Sequence, residues 1–76
     1  MLMDEIAREV QEAERKKKKI AMFHYQVLIH ADELRGVDAI DFCREINVPT
    51  SYAIEYKKML SLAELMRDQG MIIKKI

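Results

Sequence analysis

Thr50, Ser51, Lys57 and Lys58 set hydroxyl and ammonium groups along one short stretch just after Pro49. Hydroxyls donate and accept hydrogen bonds and ammonium groups only donate, so such a set suits phosphate oxygens and base edges. Tyr52, inside the same stretch, adds a ring that could stack on a base. Far upstream, Arg15, Lys16, Lys17, Lys18 and Lys19 form an unbroken run of cations. A run like this is usually a solvated helix face, and it could also track a phosphate backbone. The overall charge argues the other way. The chain carries 13 basic and 13 acidic residues for a formal net charge of zero, whereas phosphate binders draw much of their affinity from excess positive charge. The charges are nevertheless segregated: Asp4, Glu5, Glu9, Glu12 and Glu14 precede the cationic run, and Lys57–Lys58 and Lys74–Lys75 add two later basic pairs.

No other constellation points to chemistry. His24 and His30 lack the i,i+4 spacing that puts two metal ligands on one helical face, and neither has a cysteine nearby, so both read as structural. Cys43 is the single cysteine. It excludes an intramolecular disulfide, reads as a small buried hydrophobe with no base to activate it, and fits a reducing cytoplasm. Asp38 and Asp41 read as helix-start acids rather than a general acid and base. There is no glycine-rich phosphate loop and no metal cluster, so the sequence predicts no enzyme and no cofactor. No segment approaches the roughly 18 apolar residues of a membrane span, and the acidic N-terminus is no secretory signal.

The elements that must position these groups are helical. Residues 1–35 contain neither glycine nor proline before the last of them gives way to Gly36. Met3, Ile6, Val10, Ala13, Ile20 and Val27 recur with a 3,4 spacing that continues to Ala31 and Leu34, and Lys17 and His24 interrupt the seam. This stretch reads as an N-terminal helical arm. Half of the 76 residues are apolar, more than so small a body readily hides, so the seam at Met3, Ile6, Val10, Ala13, Ile20 and Val27 is expected to form a homodimer. Acids at the start and lysines at the end suit a helix dipole that finishes near Lys19. A single bent helix of about 33 residues, about 50 Å long, is the alternative. From Ile20 to Leu34 the chain is apolar nearly all round, with Phe23, Val27, Ala31 and Leu34 on one face broadened by Met22, Tyr25 and Ile29.

Gly36 is a natural helix stop. Asp38 then reads as an N-cap, with Val37 and Phe42 at the spacing of a hydrophobic staple. Ala39, Phe42, Cys43 and Ile46 make the inner face of a short helix. Asn47 tolerates the left-handed conformation, and Pro49 stops that helix and can open the next, with Thr50 or Ser51 as cap. The third helix should run from about Ser51 to Gln69. Ala53, Tyr56, Leu60 and Ala63 line its inner face, joined by Tyr52, Met59, Leu62 and Met66. Gly70 should end it with a Schellman-type close onto Met71. The tail, Met71 to Ile76, could form a strand, dock on the core or meet a partner.

Cys43, then Asn47 and Val48, then Ala53 and Tyr56, flanked by Phe42 and Ile46, stand where a helix-turn-helix needs a small mid-helix residue, a left-handed corner, an apolar plug and two anchors. The pattern over about residues 38–58 resembles the helix-turn-helix units of small bacterial and phage DNA-binding regulators. Asn47 replaces the usual turn glycine and Cys43 the usual alanine. The resemblance implies an all-α bundle made of residues 1–35, the arm, and residues 36–76, the helix-turn-helix with its tail, together one compact domain. It also implies a homodimeric, cytoplasmic transcription regulator that binds double-stranded DNA. Thr50, Ser51 and Lys58 would contact the groove, Tyr52 would also touch DNA, and Lys57, Arg15, Lys16, Lys18 and Lys19 would grip phosphates. Two outward residues fit less well: Glu55 repels phosphate unless it accepts from a cytosine amino group, and Ile54 serves a thymine methyl or a protein equally. The neutral charge and Ile54 keep a second reading open, a non-enzymatic protein-interaction module such as an adaptor, an inhibitor or a complex subunit, built on the same scaffold.

Overall fold

A computed structural model describes residues 1–71 and 73. They form helices α1 (Leu2–Arg15), α2 (Lys19–Ile29), α3 (Ala31–Leu34), α4 (Ala39–Glu45) and α5 (Ala53–Asp68), with a 3-10 helix at Thr50–Tyr52 leading into α5. No strand occurs among the described residues, so the expected all-α class holds.

The first break in the chain settles the choice between one N-terminal helix and two. Lys17 takes φ 59°, the left-handed region. Its N–H donates to the Glu14 carbonyl and the Lys18 N–H to the Ala13 carbonyl, at 3.0 and 2.9 Å. This pair of bonds is a Schellman close. It reverses the chain, and α2 packs back on α1. A straight rod of about 50 Å could not fit a molecule whose longest extent is 33 Å.

The expected dimer seam is corrected by the same fold-back. Ile6, Val10 and Val27 are 0% exposed, and Ala13 is also buried. They join Phe23, Phe42, Ile46 and Tyr56 in the chain's own core. Met3 is half-buried against that core, and Ile20 stays exposed beside the reversal. The apolar stripe of α1 is thus covered by the chain's own core, of which residues 2–15 form one wall. A 3,4 apolar repeat satisfies either partner equally, which is why periodicity alone pointed to a second chain.

The corner between α4 and α5 follows its residue chemistry. Asp38 Oδ2 accepts from the Ile40 and Asp41 N–H groups at 3.0 and 3.1 Å, the expected N-cap. Asn47 takes φ 61°. The Val48 N–H reaches the Cys43 carbonyl at 3.0 Å and the Asn47 N–H the Arg44 carbonyl at 3.3 Å, a second Schellman close. Val48 is buried as the corner plug, and Ala39, Phe42, Cys43 and Ile46 form the inner face of α4. α5 ends in a third close of this kind, with Gly70 at φ 78° and bonds from Met71 to Met66 and from Gly70 to Arg67. Ala53 and Tyr56 anchor α5, while Leu62, expected to join its inner face, is exposed. Of the tail, Ile72 and Lys74–Ile76 lie outside the described residues, and so do the expectations for a strand or docked segment there.

Candidate nucleic-acid interface

α2 and α5 lie side by side and point the same way. Near their starts, the rings of Phe23 and Tyr52 meet edge to face with centroids 5.1 Å apart. One turn on, His24 Nε2 donates to Glu55 Oε1 at 2.8 Å. Near their ends, Leu28 and Ile29 share a groove with Ala63 and Met66. Parallel helices bring two N-termini, each the positive end of a helix dipole, to one end of the molecule.

The lysine reversal between α1 and α2 is at that same end. Lys19 Nζ lies 5.8 Å from the centroid of the Tyr52 ring, within cation–π range, and 3.8 Å from Glu14 Oε1. Tyr52 is therefore held between Phe23 and Lys19, half-buried, and couples the basic turn to the start of α5. Arg15, Lys16, Lys17 and Lys18 are exposed around it. These cations suit the negative C-terminal end of the α1 dipole but oppose the positive N-terminal end of α2, which has no acid in its first turn. An anion at this spot would relieve the second interaction.

Thr50 and Ser51 are exposed at the leading edge of α5. Neither caps the helix as expected. The 3-10 helix starts at Thr50, which makes both first-turn residues preceded by Pro49, and no side-chain capping bond forms. Their hydroxyls remain available to an outside partner. Ile54, 63% exposed, and Lys58 continue this face at i,i+4 spacing. Lys57 is exposed alongside. The structure thus brings Thr50, Ser51, Tyr52, Lys19 and the basic turn to one end, with Lys57 and Lys58 on the next turn of α5.

Glu55 does not point outward as the sequence reading placed it. It is half-buried between α2 and Lys58, bonded to His24 and 3.6 Å from Lys58 Nζ. The His24 hydrogen bond, aided by the Lys58 and His24 charges and partly offset by desolvation, holds its carboxyl below the usual carboxylate range. The one acid expected to repel phosphate on this face is therefore occupied by two bases of its own chain. Nothing local announces a pair 31 residues apart. The only sequence sign was His24 falling on an apolar stripe, where a polar side chain must find a partner. His30 makes only a local contact, with Glu33 at 3.1 Å. Cys43 is buried in the core, and burial pushes its thiol up.

Among the described residues, no helix is long and apolar enough to cross a membrane. Comparison with curated proteins and with solved structures finds no match for this chain. A family model does match it, that of the HTH-like domain, over residues 1–69. The match includes α1 as well as the corner. The chain is a helix-turn-helix protein and belongs to the HTH-like domain family.

Proposed function

We propose that this chain binds double-stranded DNA with the leading edge of α5 and works in the cytoplasm as a dimeric transcription regulator of bacterial or phage type. Thr50, Ser51 and Lys58 would meet phosphates and base edges in the major groove. Arg15, Lys16, Lys18 and Lys19, with Lys57, would grip the flanking phosphates. Tyr52 takes a positioning role, because its ring is already engaged by Phe23 and Lys19.

One observation carries this reading. Lys19 lies 5.8 Å from the ring of Tyr52, which directly follows Thr50 and Ser51, and this supports reading the basic turn and the start of α5 as one surface. It also answers the charge objection, since phosphate affinity depends on local potential at the contact and not on the sum over the chain.

A second reading, a protein-interaction module, is favoured by Ile54, a large apolar side chain left open on the same edge. Fluorescence anisotropy with labelled duplexes at about 50 mM salt separates the two. The DNA reading expects saturable binding that weakens steeply as salt rises. Absence of duplex binding at that low salt leaves the interaction module in its place.

A further inference from the structure

We propose that Ile54 reads the C5 methyl group of thymine, so that the leading edge of α5 prefers A·T pairs where it enters the major groove. This preference rests on the DNA reading of the same edge and names the ligand chemistry that the edge takes. Ile54 is 63% exposed, and among the described large apolar side chains only Met1 is more so. At that exposure it adds little to the core, and a β-branched residue is a weaker helix former than leucine or lysine. Packing therefore does not explain an isoleucine here.

The surroundings of Ile54 identify the ligand. Its neighbours on the helix surface, at i−4, i−3, i+3 and i+4, are Thr50, Ser51, Lys57 and Lys58, all exposed. Ile54 is thus a single apolar group ringed by hydroxyl and ammonium groups. A protein partner is met by a contiguous apolar patch, whereas the next exposed apolar residues of α5, Leu62 and Leu65, lie about two and three turns further along. The major-groove edge of an A·T pair has the matching pattern: one methyl group beside the thymine O4 and adenine N7 acceptors and the adenine N6 donor. Ammonium and hydroxyl donors suit the two acceptors, a hydroxyl oxygen suits the amino group, and the methyl is left for Ile54.

The same geometry disfavours a G·C pair. Cytosine offers an amino donor and no methyl. Glu55, the acid in the first turn of α5, is bonded to His24 at 2.8 Å and lies 3.6 Å from Lys58 Nζ, so it is no free acceptor for that amino group. Lysine and hydroxyl groups serve guanine acceptors as well as those of an A·T pair, which leaves Ile54 as the group that tells the pairs apart. Taking one methyl group out of water against it supplies about fourfold in affinity.

The test is fluorescence anisotropy at about 50 mM salt with two labelled duplexes, one of alternating adenine and thymine and one with uracil in place of thymine, which removes only the methyl groups. Wild type and Ile54→Ala are titrated with each. Position 54 is exposed, and circular dichroism checks that the variant keeps its helicity. The expected result is about fourfold tighter binding of the thymine duplex by the wild type and equal affinities for Ile54→Ala. Equal affinities for the wild type overturn the proposal and leave the DNA reading standing, because both duplexes are then bound. A thymine preference kept by folded Ile54→Ala places the methyl contact on another residue and also overturns it. Absence of binding to either duplex sinks the DNA reading and this preference with it.

Discussion

His24 Nε2 and Glu55 Oε1, 2.8 Å apart, tie the first turn of α5 to α2 across 31 residues of chain. The bond holds Glu55 against α2. It also shares Glu55 with Lys58, so Lys58 stands beside a carboxylate already satisfied by a second donor. A ligand phosphate can then recruit Lys58 without leaving a bare acid behind.

Lys58→Glu should therefore weaken duplex binding by tenfold or more, an order-of-magnitude expectation for reversing one groove-edge charge. The salt slope should fall by about 1. Lys58 is exposed, so thermal stability should change by no more than about 0.5 kcal/mol. Anisotropy titrations at several salt concentrations, with a thermal melt, check both outcomes. Unchanged affinity in the folded variant would remove Lys58 from the contact surface.

The lowered pKa of Glu55 carries a pH signature. A carboxyl held below its unfolded value of 4.5 stabilises the fold above that value, and the contribution is lost as pH falls through the lower folded value. Glu55→Gln should accordingly be less stable than the wild type at neutral pH. The two should converge as pH drops from about 6 towards about 3. Melting temperatures across that range measure it, and a constant gap at all pH values would show that the ionised form of Glu55 contributes nothing.

Tyr56 joins the corner to the chain that precedes it. Its buried hydroxyl lies 2.9 Å from the Leu34 carbonyl and 3.0 Å from the Val37 carbonyl, one donated hydrogen shared across the turn at Gly36. Tyr56→Phe keeps the ring stacked on Phe42 and removes only the hydroxyl. The expected loss is about 1–2 kcal/mol, lowering the melting temperature by roughly 4–8 °C per kcal/mol in a domain of this size. Duplex affinity of the folded variant should stay as in the wild type.

Lys17 and Asn47 hold equivalent positions in two Schellman closes, at φ 59° and φ 61°. Lysine carries a larger left-handed penalty than asparagine. Lys17→Gly should thus raise stability by up to about 1 kcal/mol, even as it removes a cation from the basic turn. Asn47→Val, a β-branched residue at the same φ, should lower stability by about 1–2 kcal/mol. Denaturant unfolding of both variants tests the pair; a destabilised Lys17→Gly would mean that the lysine side chain contributes more than its backbone strain costs.

Residue chemistry made the punctuation of this fold legible. Gly36, Asp38, Asn47 and Gly70 each stop, cap or turn the chain as their side chains dictate, because capping is decided within a few residues. The break at Lys17 was visible only as a polar interruption of an apolar seam, since nothing in a lysine announces a left-handed backbone. What covers α1 could not be read, because a 3,4 stripe fits a second chain as well as α2, and the choice depends on a reversal three residues long. The meeting of Lys19 with Tyr52, and of His24 with Glu55, depends on α2 and α5 running parallel, a tertiary relation with no local trace.

In the proposed function the basic turn and the leading edge of α5 form one surface for duplex DNA. Amide chemical shifts followed by NMR during titration with a short duplex at low salt test it most directly. Shifts should gather at Thr50, Ser51, Ile54 and Lys58 and across Lys16–Lys19, with Leu28, Ala63 and Met66 left in place. A saturating duplex that moves the groove residues and spares that edge, or a titration that moves none of them, would contradict it.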